Sequence, residues 1–340
     1  MTPDLTVMGA GIFGLSIAWE AARRGARVAV IDPGGPGAGA SGGVVGALSP
    51  HVPEAWNPMK QFQFDALMMA EGFWAGVAAA AGRDPGYARS GRLQPLADPA
   101  AVDLARRRAA AAASLWQGRA EWAVIPVQAD GWCPAAPSGF VVRDTLSARI
   151  APRAALAALA AAVAARGGTV AAEGPVRAPV VWATGAAGLA ELSAALGRDI
   201  GRAEKGQAAL LRHAAPERPQ IFTEGLYIVP HADGTVAIGS TSERDFADPA
   251  ATDAALDALI ARARALCPAL AGAPVAERWA GLRPRAATRR PLLGPWPGRP
   301  GHFVANGGFR TGFGLAPAVA ALMADLVLAG RDAIPDAFRP

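Results

Sequence analysis

The sequence predicts a mixed α/β fold, with a Rossmann-like nucleotide-binding domain at its start and antiparallel strands further along. Three observations predict it. A short apolar run at 5–8 leads directly into Gly9-Ala10-Gly11-Ile12-Phe13-Gly14 and then a helical pattern. A second apolar run, 27–31, ends in an acid, Asp32. Far downstream, runs at 226–230 and 234–241 flank an Asp233-Gly234 turn, the mark of an antiparallel hairpin.

The first two observations form one unit. Residues 15–24 read as a helix with Leu15, Ala18, Trp19 and Ala22 on one face, and Gly25 ends it. Strand, glycine turn, helix, strand and terminal acid together make the βαβ dinucleotide fingerprint. Gly9 permits the tight turn, Gly11 lets the backbone approach a pyrophosphate, and Gly14 lets helix and strand pack closely. The helix N-terminus turns free N–H groups and its positive dipole end toward the phosphates. Asp32 is placed to accept hydrogen bonds from ribose hydroxyls.

The next segment, Gly34 to Gly43, is a long run of small residues. Small residues let backbone approach a large planar ligand, and the run resembles the segment that passes the pyrophosphate in FAD enzymes. A flexible glycine linker is the other reading of the same composition. The ordered pattern Val44-Val45-Gly46-Ala47-Leu48 follows it.

Three later stretches carry a family resemblance. Val180 to Gly185 is similar to the "ATG" strand and turn that returns a chain to an FAD domain. Leu226-Tyr227-Ile228-Val229-Pro230 with its hairpin partner, then Trp279-Ala280-Gly281-Leu282-Arg283-Pro284, resembles the "YIVP" and "WAGLRP" elements. Asn306 to Pro317 resembles a glycine-rich signature that leads into a final helix. In this order the chain resembles the FAD-dependent D-amino acid oxidase superfamily, in its glycine oxidase-like and DadA-like branch.

The resemblance implies a glutathione-reductase-type FAD-binding domain from residues 1–50, 140–202 and 287–340. A substrate domain from 51–139 and 203–286 is interleaved with it. It implies non-covalent FAD held by Gly9, Gly11, Ile12, Phe13, Gly14, Asp32, Pro33, Ala40, Ser41, Val45, Gly46, Ala47, Val176 and Gly185. The C-terminal signature adds Gly308, Phe309, Arg310, Thr311, Gly312, Phe313 and Gly314. Tyr227, Arg283 and Arg310 become the catalytic candidates, the first two as anchors of a substrate carboxylate. Two departures stand out. The segment 167–179 is shorter than the three-stranded excursion usual there, and Gly308 stands where a histidine is common.

The implied activity is oxidation of the C–N bond of a small amino acid or secondary amine. A hydride passes to flavin N5, and the imine hydrolyses. O2 or a quinone then takes the electrons. An arginine suits the anchor because its guanidinium offers two parallel N–H donors to a carboxylate. Arg285, Arg289 and Arg290 are near enough in sequence to share that role. Lys205, in "KGQ", is expected near the flavin edge, and His51 and His231 are weaker candidates. The loop 284–288 contains no cysteine for covalent flavin attachment. Three rival readings remain: a quinone-linked dehydrogenase, an FAD domain of a tRNA wobble-uridine modification enzyme, and a flavin-binding subunit without activity. The stretch "GASGGVVGALSPH" and the net positive charge favour the tRNA reading.

The remaining elements follow from periodicity. Helices are expected at 62–81, 100–116, 152–166, 252–265 and 318–328. Short extended segments are expected at 93–96 and 122–127. Pro126 and Pro134 move the latter away from a sheet centre. The proline-rich stretch 291–300 reads as a loop.

Composition excludes several classes. With 340 residues, 52% of them hydrophobic, the chain can bury a large core and is not disordered. The formal charge of +5 lacks a dense basic run, and Lys60 and Lys205 are the only lysines, so nucleic acid is not an expected partner. Cys133 and Cys267 form no CxxC, and no histidine pair has ligand spacing, so no metal is expected. The N-terminus lacks the basic and apolar regions of a signal peptide. The alanine-rich 151–165 is too short to span a bilayer. Cytoplasmic location is the expectation, with peripheral membrane contact left open.

Overall fold

The computed structural model describes residues 2–340. β1 (Leu5–Met8), α1 (Ile12–Arg23) and β2 (Val28–Ile31) form the expected βαβ unit, with Leu5 opposite Val28 and Met8 opposite Ile31 in parallel register. α1 begins earlier than the apolar pattern suggests, because Gly14 lies inside it. A Cβ there would fall 1.9 Å from the Gly9 carbonyl oxygen, so close packing overrides glycine's poor helix propensity.

β3 (Ala47–Leu48) follows the small-residue loop. α2 (Pro58–Ala81) starts ahead of its apolar stripe because Asn57 caps it and Pro58 fits its first turn. β4 (Arg92–Pro95), α3 (Pro99–Leu115) and β5 (Trp122–Pro126) come next. β6 (Phe140–Asp144) and β7 (Ala148–Arg149) are unanticipated strands. α4 (Pro152–Ala165), β8 (Thr169–Ala171), β9 (Val180–Trp182) and α5 (Gly185–Leu196) lead to the long β10 (Gly201–Arg212). The hairpin region holds β11 (Gln220–Thr223), β12 (Leu226–Pro230) and β13 (Thr235–Gly239). α6 (Ala254–Leu266), β14 (Val275–Ala286), β15 (Leu292–Pro295), β16 (His302–Asn306) and α7 (Gly312–Ala329) complete the order.

Two large sheets result. The first runs β15-β16-β9-β1-β2-β8, parallel except for β15. Its inner strands are largely apolar, β2 and β9 throughout, as expected where helices cover both faces. β15 corrects the reading of 291–300 as a loop. Pro291 and Pro295 frame it at a sheet edge, where a missing N–H costs little, while Leu292 and Leu293 are buried.

The second sheet runs β14-β10-β13-β12-β11-β4-β6-β5 and is antiparallel except where β11 meets β4. β5 is its edge strand, in keeping with Pro126. β6 belongs here and not with the nucleotide-binding segments to which 140–202 was assigned, because it pairs with both β4 and β5. α2 shifts the other way, packing on α4 and α7.

α7 is long and apolar enough to cross a membrane, but most of it is buried here. It packs on α1 and α2 as a core helix.

Candidate active site

A cleft of about 1060 Å³ takes its walls from both sheets. It lies at the top of the usual range for ligand pockets, large enough for a cofactor and a small substrate together. At one end the β1–α1 turn holds itself open. Gly9 has φ +106°, and a Cβ there would fall 2.4 Å from the Ala183 carbonyl oxygen, so only glycine allows this approach of β1 to β9. Asp32 lines the cleft and braces the turn, accepting from the N–H of Ala10 at 2.7 Å and of Gly34 at 3.0 Å. A carboxylate has about four acceptor positions, so capacity remains for ribose hydroxyls. Ser41 Oγ accepts from the Ile12 N–H at 3.0 Å, which ties the small-residue loop to the start of α1.

Three helices turn backbone N–H groups at their N-termini to this cleft, α1 at Gly11 to Phe13, α5 at Gly185 to Ala187 and α7 at Thr311 to Gly314, and α4 reaches it through Pro152, which has no N–H. None of these three is capped by the side chain of its own N-cap residue, and among the described residues only α1 has one N–H taken by a side chain from outside, Ser41. By contrast α2, α3 and α6, which start elsewhere, are capped by Asn57, Asp98 and Asp253. Uncapped N–H groups and three positive dipole ends on one cavity suit an anionic ligand. Asp32 is the one carboxylate on the lining among the described residues. These features fit a dinucleotide such as FAD.

The other end carries the opposite charge. Arg283 sits on β14, which continues through Ala286 and so corrects the expectation of a loop at 284–288. The run from Trp279 to Pro284 on this strand lines the cleft. Gly206, opposite Gly281 on β10, leaves the space that the Arg283 guanidinium fills. Nη2 donates to Ser240 Oγ and to the Thr241 carbonyl, both at 2.8 Å. Nη1 is buried without a partner among the described residues. Burial, then the charge of Arg310, pulls this guanidinium down to about 10 against the pull of Glu204 and Glu243, so it stays charged at neutral pH.

Phe309 holds the arginines together. Its ring centre lies 6.0, 5.9 and 5.1 Å from the guanidinium carbons of Arg283, Arg285 and Arg310. Its backbone has φ +43°, a strained value for a non-glycine residue of the kind that clusters at functional sites. Tyr227, on β12, lines the cleft with its ring packed on Phe222 at 4.5 Å between centres.

Most residues nominated from the sequence border this cleft. Gly14 and Gly46 do not; they allow close packing behind it, against the carbonyls of Gly9 and Ile150. Val176, expected to touch adenine, is 47% exposed and off the lining. The shortened segment has only β8, an edge strand, and no further strands to carry 176 back over the cleft. Lys205, expected at the flavin edge, is buried off the lining and reaches Glu243 at 3.5 Å. Strand alternation sets it on the face opposite to Gly206. His51 is exposed and also off the lining. The sequence did not single out Phe222, Ser240 or Glu204. The tertiary contacts that give them importance leave no local motif.

The family model for FAD dependent oxidoreductases (DAO) matches residues 4–326. The chain belongs to this family. FAD is therefore the cofactor, and the glycine turn and the helix ends on the cleft fit it. The glycine oxidase of Pseudomonas aeruginosa is 37% identical over 171 residues, a match covering 50% of this chain and 47% of that protein, so it spans less than half the relative's length. The glycine oxidase of Geobacillus kaustophilus is 29% identical over 95% of this chain and 92% of its own. The crystal structure of the latter enzyme superposes with a TM-score of 0.82 at 24% identity, covering 99% and 98% of the two chains. Iminodiacetate oxidase from Chelativorans sp. BNC1 gives 0.85 at 23% identity with the same coverage. At such identities these two superpositions establish a DAO-family fold.

Proposed function

We propose that this chain oxidises the C–N bond of a small amino acid or secondary amine that carries a carboxylate, with O2 as the final electron acceptor. One observation carries the reading. Arg283 is a buried, charged guanidinium on the cleft wall, with Nη2 fixed by Ser240 and Thr241 and Nη1 unpartnered. A buried donor without an acceptor is costly, and a substrate carboxylate removes that cost.

When bound, FAD supplies the acceptor for a hydride leaving the substrate carbon. The protein binds and orients. Arg283 Nη1 donates to the carboxylate, and the Tyr227 phenol donates to its second oxygen. Phe222, Tyr227 and Trp279 give the rest of the substrate an apolar wall that excludes water. Desolvation there favours the neutral amine, the form that can give up a hydride. The imine leaves and is hydrolysed by water. The relatives named glycine oxidase support this substrate class and O2 as acceptor.

The test is anaerobic addition of glycine, sarcosine and D-alanine to the FAD-loaded protein, followed by air. Bleaching of the flavin by at least one amine, then peroxide on aeration, is expected. A flavin that stays oxidised with every amine yet bleaches with dithionite refutes the reading.

A further inference from the structure

The charges behind the arginine wall form a connected set. Glu204, on β10, is 5% exposed and off the cleft lining. Its carboxylate reaches Arg285 Nε at 3.5 Å and Arg310 Nη2 at 3.6 Å, and accepts a hydrogen bond from Ser242 Oγ. Strand register sets it opposite Arg283, yet Arg283 makes no ion pair among the described residues. On the other face Lys205 meets Glu243 at 3.5 Å and Asp253 at 4.0 Å. On the Glu204 side, Arg283, Arg285 and Arg310 thus meet one carboxylate, which contacts the last two and not Arg283.

Arg283 and Arg310 are the two cations on the cleft lining among the described residues. They differ in what stands behind them. Arg310 is held by Glu204, whereas Arg283 has a free Nη1 and no carboxylate in contact.

We propose that Glu204 sets how many carboxylates the site accepts. It is a positioning residue that never touches substrate. By holding Arg310 from behind, it leaves Arg283 as the single unpaired guanidinium on the wall, matched to one carboxylate. Without that negative charge, Arg310 becomes a second free guanidinium in the same cleft, and the site gains affinity for dicarboxylic amines. This rests on the amine oxidase reading for the carboxylate's place. Arg310 is 43% exposed, so solvent screens part of the change. An effect of about tenfold is expected on this ground.

The probes are acetate and malonate, which are not substrates, titrated into the FAD-loaded protein and followed by the flavin spectrum and by calorimetry. The wild-type protein is expected to bind acetate at least as tightly as malonate. Glu204→Gln should raise the malonate-to-acetate affinity ratio about tenfold. The ratio of kcat/KM for iminodiacetate over sarcosine should rise with it. Glu204→Asp, which keeps the charge, should retain the wild-type ratio. If Glu204→Gln does not fold, the pair Glu204→Gln with Arg285→Met, which removes the carboxylate together with its other cation, takes its place and should raise the ratio in the same way. An unshifted ratio in a folded, yellow Glu204→Gln protein overturns the assignment. So does an unshifted ratio in the folded, yellow double variant. Wild-type protein that binds neither anion removes the carboxylate anchor itself, and both readings fall together.

Discussion

A methyl group added at Gly206 would stand 1.5 Å from Nη2 of Arg283 and 2.2 Å from its Cζ. The glycine is therefore the seat of the guanidinium. β10 and β14 are paired on both sides of this point, so the backbone cannot yield and the arginine must. Gly206→Ala should displace Arg283 from Ser240 and Thr241 and raise KM for a carboxylated amine about a hundredfold, roughly 2.7 kcal/mol. FAD content should not change, because Gly206 lies off the cofactor end. Steady-state kinetics and flavin absorbance check both parts; an unaltered KM would show that the guanidinium sits elsewhere.

Arg283 itself separates charge from geometry. Arg283→Met removes both, and kcat/KM should fall by at least about a hundredfold, in line with losing a charge-assisted hydrogen-bond pair. Arg283→Lys keeps a charge and three N–H donors, but on one nitrogen that cannot occupy the positions of both Nη1 and Nη2, so it should recover only part of the loss. Equal activity in the lysine variant and the wild type would reduce the anchor to a point charge.

The parts of this site that were legible in the sequence are those that local chemistry dictates. Gly9, Gly11 and Gly14 mark the first turn because each spacing has its own steric reason, and the acid at the end of the next strand completes the pattern. The start of α7 was misplaced: its glycines read as a turn ahead of a helix at 318, whereas the helix begins at Gly312. Arg283 was nominated through family resemblance, but its place on a strand was hidden, since Gly281 and Pro284 read as breakers. Gly206 and Glu204 gained meaning only from the register of β10 on β14, which joins residues roughly eighty positions apart in sequence. Val176 failed for the opposite reason. The resemblance supplied its role, and the shortened segment lacks the strands that would place it.

Asp32 links the turn to the cofactor. Its two oxygens accept from the Ala10 and Gly34 N–H groups. Asp32→Ala leaves both donors unpaired at a half-buried position and removes the remaining acceptors from the cleft. Water will replace part of this, so a loss of about 1–2 kcal/mol is expected. FAD affinity should weaken about tenfold or more. Asp32→Asn, which retains one acceptor oxygen, should fall between the two. Recovery of flavin fluorescence on dilution measures the dissociation. Equal retention of FAD by all three proteins would place the ribose contact on other groups.

The last expectation concerns acid stability. His231 follows β12, is 4% exposed, and leaves Nε2 buried without a partner. Burial pulls its pKa down to about 4, with Asp233 opposing and Arg149 adding to the fall. The unfolded chain holds the same imidazole near 6.5. Between these values the unfolded state binds the extra proton, so stability must rise with pH across the window. The contribution is complete above 6.5 and is lost as pH falls toward 4. From pH 7 to pH 5 it amounts to roughly 2 kcal/mol. His231→Gln cannot titrate and should show a correspondingly shallower decline. His51, exposed at one edge but partly desolvated by its neighbours, and His302 are also lowered by desolvation and contribute to the same limb, but they are common to both proteins. The difference between wild type and variant in urea midpoints at the two pH values therefore isolates His231. Parallel declines would mean that this imidazole is charged in the folded protein and that a solvent path reaches Nε2.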